Sequence, residues 1–120
     1  MHKLAPLNSF VDNRGIIEDL VVESVDAITR ITFTPNAIRG NHFHNETFQW
    51  TLVIKGEIDA STIVNGVVKT EKFKEGEFFV SRPGEPHAMK AVESSEILVF
   101  TRGPRSGISY QTDTHRIQVL

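Results

Sequence analysis

The stretch Ile38-Arg39-Gly40-Asn41-His42-Phe43-His44-Asn45 sets two imidazoles one residue apart behind an Arg-Gly pair, in a chain that holds five histidines. On a β-strand, residues i and i+2 share a side, so His42 and His44 would project together and Phe43 away from them. That spacing lets one strand present two imidazoles to a single ion at about 2.0–2.2 Å. Two further readings use the same residues: His42 as a general base, because imidazole titrates near neutral pH, and a plain pair of solvent-facing strand histidines. Glu46 would join the same face if the strand ran on, but Asn45-Glu46-Thr47 reads more like a turn.

Such side chains need a rigid frame, and the sequence supplies short strands almost throughout. Runs rich in Val, Ile, Phe and Thr span 16–22, 27–34, 47–54, 57–64, 67–73, 77–81, 87–92 and 96–101, and no stretch of about a dozen residues keeps a helical apolar period. Turn-forming clusters separate them, among them Asp12-Asn13-Arg14-Gly15, Thr34-Pro35-Asn36 and Arg82-Pro83-Gly84-Glu85-Pro86. Asn65-Gly66 predicts a type I′ turn closing a hairpin between 58–64 and 67–73, since both central residues of that turn need positive φ. At least eight short strands in 120 residues predict an all-β closed barrel or jelly roll forming a single domain. The polar tail after Thr101 is expected to lie across its outside or rim.

Composition narrows the function classes. Lys and Arg are scattered, the formal charge is −2, and no basic stripe suited to a phosphate backbone exists, so nucleic acid is not an expected partner. No run approaches the roughly 18 apolar residues that cross a bilayer, so no membrane partner is expected either. The chain has no cysteine, which removes disulfides and thiolate ligands. Its first residues lack the long apolar run of a secretory signal, and a cytoplasmic location is the expectation.

Beyond His44, Gln49 opens the apolar strand that ends at Lys55-Gly56, and Gly76 precedes Arg82-Pro83-Gly84-Glu85-Pro86-His87. In this order the residues resemble the two motifs of the cupins. Gly40, His42, His44, Gln49 and Gly56 fill the first, with a shortened spacer; Gly76, Gly84 and His87 fill the second, with Pro83 displaced by one. The resemblance implies a double-stranded β-helix, or jelly roll, whose inward side chains hold a divalent transition metal: zinc, iron, nickel or manganese. It makes His42, His44 and His87 the histidine ligands and puts Gln49 where the family usually has Glu, with Glu46 the less favoured alternative. A neutral amide in that place leaves the site near +2 instead of +1.

A second resemblance runs from Phe10-Val11-Asp12-Asn13-Arg14-Gly15 to Arg39-Gly40-Asn41-His42-Phe43-His44 and Gln49. This order is similar to the dTDP-sugar 3,4-ketoisomerases, to the dTDP-4-dehydrorhamnose 3,5-epimerases in its Arg-Gly-x-His core, and to the metal-binding cupin domain of a capsular-polysaccharide epimerase. It implies a carbohydrate substrate and proton transfer beside a carbonyl, with His42 matching the base and Arg39 an arginine that engages the substrate. A histidine that spends its available nitrogen on a metal cannot also be the base, so the two resemblances compete for His42. The ketoisomerases carry tyrosine where this chain has Thr32 and Phe33; its one tyrosine is Tyr110.

Arg82, Trp50 and Tyr110 are further candidates for substrate contact, and Arg102 and Arg105 around Gly103-Pro104 for phosphate. Asp12 and Arg14 are expected to stabilise the turn at Gly15, and His2 and His115 to lie on the surface. Two other functions fit the same fold: an iron dioxygenase with an apolar pocket built from Val53, Ile63 and Met89, and a noncatalytic small-ligand binder. A homodimer is expected by analogy with small cupins.

Overall fold

The computed structural model describes residues 1–120. Two five-stranded antiparallel sheets face each other. The first has the order β1 (His2–Leu4), β9 (Phe78–Ser81), β6 (Phe48–Lys55), β11 (Ser95–Arg102), β4 (Ala27–Phe33). The second runs β12 (Thr114–Arg116), β5 (Ile38–His44), β10 (His87–Ala91), β7 (Glu57–Val64), β8 (Val67–Lys74). This is the expected jelly roll. Strand alternation explains the packing: in β11, Ser95, Ile97, Val99 and Thr101 are buried and the residues between them are half-exposed. Phe33, Val53, Ile58, Phe73, Phe79, Ile97 and Val99 fill the space between the sheets, with the Phe73 and Phe79 rings stacked at 4.3 Å.

Turn chemistry holds where it was most explicit. Asn65 (φ 51°) and Gly66 (φ 77°) both take positive φ and join β7 to β8 in a register that pairs Val64 with Val67. Arg14 donates to the Asp12 carboxylate from its backbone and from its guanidinium, fixing the turn between β2 (Asn8–Asp12) and β3 (Gly15–Asp19).

Two expectations need correction. The run 16–22 is no barrel strand: β3 pairs only with β2, as a separate two-stranded sheet that leaves Phe10, Val11, Ile16 and Ile17 exposed. The tail after Thr101 is not simply laid across the rim. It forms the helix α1 (Gly107–Asp113) and then β12, which pairs with His42–His44 as an edge strand of the second sheet. Seven residues are too few to show a helical period in a sequence, and this helix has no side-chain cap.

The feature that positions the site is a β-bulge. On β10, His87 pairs with His42 and Ala88 with Gly40, so Asn41 is the extra residue on β5. A regular strand would send Arg39 and His42, three apart, to opposite faces; the bulge lets both line one cavity. Gly40 has φ +97°, and a Cβ there would sit 2.9 Å from the His87 carbonyl oxygen. Asn41 takes the left-handed conformation (φ 59°) that Asn tolerates. Its side-chain oxygen accepts from the amides of Val119 and Leu120, both at 2.9 Å. Gly40→Ala is expected to cost roughly 1–3 kcal/mol of stability and to move His42 away from His87. Chemical denaturation and histidine NMR shifts check this; a variant of unchanged stability and spectrum would contradict the role given to Gly40.

Candidate metal centre

Three strand positions converge at one end of the space between the sheets. His42 and His44 come from β5 at the i, i+2 spacing, and His87 opens β10 directly across from His42. One nitrogen from each of the three rings lies within 4.8 Å of the others. Ring centroids are 4.7 Å apart for His42 and His44 and 4.6 Å for His42 and His87. His44 and His87 are buried, and His42 is half-buried at the cavity wall.

Electrostatics keep all three rings neutral. Burial, then the neighbouring His87 and His44 and the Arg116 and Arg105 charges, push the His42 pKa down to about 3. Burial holds His87 down to about 4 against a partly compensating bond to Glu85. Burial likewise lowers His44, although the Asp113 carboxylate opposes it. A neutral imidazole carries one N–H and one lone pair. The Nδ1 of His87 lies 3.1 Å from the Glu85 carbonyl oxygen, which can only accept, so Nδ1 carries the proton and Nε2 the lone pair. The Nε2 of His44 is buried without any hydrogen-bond partner. A buried polar atom without a protein partner needs an explanation, and a metal ion would supply one. The donor set fits a divalent transition metal: neutral nitrogen ligands, two of them buried.

Asp113 was not foreseen in this setting. It ends α1 almost fully buried, accepts from the amides of Asn45 (3.0 Å) and Glu46 (2.9 Å), and takes the Thr47 hydroxyl at 2.6 Å. Burial would raise its pKa, but those hydrogen bonds hold it below the usual carboxylate value. The hydrogen-bond partner of His44 Nδ1 is the Thr114 hydroxyl at 3.4 Å, and the second oxygen of Asp113 lies behind it at 3.9 Å, favouring a proton on that nitrogen. The only sequence signal was an acid in a polar tail, and three-dimensional closure of the tail gives it meaning.

A cavity of about 80 Å³ adjoins the histidines. Its lining includes Arg39, Gln49, Tyr110 and Arg105 as well as His42 and His87. Glu46 lies elsewhere, in an outer groove beside α1, and Asn45-Glu46-Thr47 is indeed a turn. Trp50 does not face the cavity. It neighbours Gln49 on β6, so alternation sends it to the outer side of the sheet, where its ring stacks with Phe48 at 6.0 Å. Arg82 is exposed and outside the lining, and Arg102 is tied to Glu23 and lies over the Phe48 ring. Of Val53, Ile63 and Met89, only Met89 reaches the cavity. His2 is exposed; His115 is half-buried, against Asn45 and the Phe43 ring.

Comparisons with known proteins bear on the fold. The family model described as Cupin matches residues 21–113. A dTDP-4-dehydrorhamnose 3,5-epimerase from Sulfolobus tokodaii superposes with a TM-score of 0.73 at 18% identity, covering 92% of this chain and 73% of that one. The 3,4-ketoisomerase QdtA from Thermoanaerobacterium thermosaccharolyticum, solved with TDP-4-keto-6-deoxyglucose, gives 0.74 at 15% identity, covering 92% and 83%. The capsular polysaccharide assembling protein CapF from Staphylococcus aureus gives 0.69 at 17% identity; 95% of this chain covers 35% of it. Likenesses at this level of identity show a shared fold. No curated protein sequence matches the chain.

Acid should expose the buried neutral rings. Their folded pKa values lie below the unfolded value of 6.5, so below about pH 6.5 the unfolded chain binds protons that the folded chain refuses. Stability of the metal-free protein is therefore expected to fall between about pH 6.5 and pH 4, and a His42→Asn/His87→Asn variant to lose less over that window. Thermal melts across the range check it; parallel profiles for the two proteins would contradict the assignment.

Proposed function

The chain belongs to the cupin family, and on that footing we propose that it is a metal-dependent enzyme of carbohydrate chemistry. In this reading His42, His44 and His87 hold a divalent transition ion, Gln49 is the fourth ligand, and the cavity takes a sugar or sugar-derived compound for proton transfer beside its carbonyl. The observation that carries the reading is the convergence of three neutral imidazoles, one with a buried nitrogen that nothing else uses. The carbohydrate direction is supported at the level of fold by the neighbours described as epimerases and ketoisomerases.

Bound there, the ion would supply Lewis acidity toward a carbonyl oxygen. The chain's own residues do the rest. His42 serves as a ligand and not as the base: its ring donates to no carboxylate, and burial, the neighbouring His87 and His44, and then Arg116 and Arg105 disfavour its protonated form. Tyr110, the single phenol of the chain, lines the cavity and is placed to exchange a proton with bound substrate. Arg39 engages the substrate from the opposite strand end. Ile31, Phe79, Met89 and Val99 give the cavity an apolar wall that limits water. A homodimer accords with the exposed apolar hairpin β2–β3.

The test is exchange of carbon-bound hydrogen. The metal-loaded protein, incubated in D₂O with ketoses, aldoses and 4-keto nucleotide sugars, should catalyse deuterium uptake next to the carbonyl of at least one of them, read by proton NMR. Chelation should abolish the exchange. Tyr110→Phe should slow it by roughly 100-fold with unchanged metal content. Oxygen uptake by the iron-loaded protein without exchange would replace this reading with a dioxygenase; binding without either reaction would leave a ligand-binding module.

A further inference from the structure

The cavity beside the histidines has a one-sided charge distribution. Elsewhere, Arg14 is paired with Asp12, Arg30 with Glu96 and Arg102 with Glu23. Arg39 and Arg105, which line the cavity, have no acidic partner within ion-pair distance, and no Asp or Glu lines it. A third arginine, Arg116, is exposed in a separate groove, where it donates to the carbonyl of Gly40 at 3.2 Å. Two carboxylates outside the lining are already engaged: Asp113 accepts from Asn45, Glu46 and Thr47, and Glu85 is paired with the terminal ammonium of Met1.

Arg39 stands exposed at the cavity mouth and Arg105 is half-buried, and neither has its donors used up. Arg39 donates once, to the Thr32 carbonyl at 3.1 Å, and its guanidinium carbon lies 5.4 Å from the centre of the Phe33 ring. Arg105 donates once from Nε to the Thr29 hydroxyl at 3.3 Å and lies 4.9 Å from the Tyr110 ring centre. A guanidinium has five N–H donors, so each keeps a free fork of the shape that grips a carboxylate or phosphate. Anchored donors around a cavity with no anion of its own call for a ligand that brings one.

Size and ring chemistry limit that ligand. The cavity holds about 80 Å³, well under the roughly 300–1,000 Å³ of pockets that enclose drug-sized molecules. A nucleotide base would also want a free aromatic face, yet Arg105 covers Tyr110, and Trp50 is stacked with Phe48 on the outer side of the sheet. We infer that the site takes a small hydroxycarbonyl compound bearing one anionic oxygen group, a carboxylate or a phosphate, gripped by Arg39 and Arg105, and does not take a nucleotide-linked sugar. The inference rests on the metal-site reading above for the placement of the carbonyl, while the anion grip stands on the arginines alone.

Calorimetric titration with four probes tests it: hydroxypyruvate, dihydroxyacetone phosphate, neutral dihydroxyacetone and dTDP, each with metal-loaded and with metal-free protein. At least one of the two small anions should bind about tenfold or more tighter than dihydroxyacetone, and the tighter of them tells carboxylate from phosphate. Arg105→Gln and Arg39→Gln should each remove most of that preference, weakening the anionic probe far more than dihydroxyacetone. Retention of the anion preference by metal-free protein would support the arginine grip even if deuterium exchange fails. Equal binding of charged and neutral probes, insensitivity to both substitutions, or tightest binding by dTDP would overturn the inference. None of those outcomes bears on metal content, which is measured separately on the same samples.

Discussion

One inserted residue in β5 organises the site. Because Asn41 has no partner on β10, the strand changes phase between Arg39 and His42, and both end up facing the same cavity. The insertion demands a residue at position 40 that takes positive φ and leaves room for the His87 carbonyl, which glycine alone satisfies cheaply. It demands at 41 a residue at ease in the left-handed region, and asparagine also uses its side-chain oxygen to tie down the amides of Val119 and Leu120. The end of the chain is thereby held beside β12, which covers the free edge of β5, and α1 carries Tyr110 to the cavity.

This arrangement works against stability at the site itself. Three imidazoles are drawn out of water and kept uncharged, and one of their nitrogens has no partner. Burying a polar atom without a hydrogen bond costs about 1–3 kcal/mol, and the apolar layer from Phe33 to Phe79, which adjoins the cavity, offsets it. Such an atom beside two more imidazoles forms a cluster that could hold a metal ion. Asp113 fits the same logic, since it braces the turn after His44 and faces that ring without taking its Nε2.

How much of this the sequence disclosed depended on the range of the signals. His42 and His44 were readable because period-two alternation is local, and His87 because a second motif follows the first in order. Asn65-Gly66 announced its turn because the φ requirement leaves few other residues. The bulge was hidden, since counting by twos assumes an unbroken strand, although Gly-Asn in the middle of one is a usable warning. Gln49 and Trp50 were both assigned to the site, but adjacent residues on a strand cannot both face inward, and the alternation already favoured one. The helix α1, the strand β12 and the role of Asp113 depend on contacts across more than 60 residues of sequence, which no local pattern carries.

The site therefore joins a metal-ready cluster, a small cavity and a set of arginines on one frame, and the metal comes first in the chain of consequences. If it binds where the three imidazoles meet, His42 is spent as a ligand and the proton chemistry falls to Tyr110. The most direct measurement is a crystal structure of the metal-loaded protein with anomalous scattering recorded at the metal edge. One anomalous peak within bonding distance of His42, His44 and His87, about 2.0–2.2 Å from each nitrogen, is the expected result. A peak elsewhere, or none at this place in crystals of protein saturated with metal, would contradict the assignment and return His42 to the role of base.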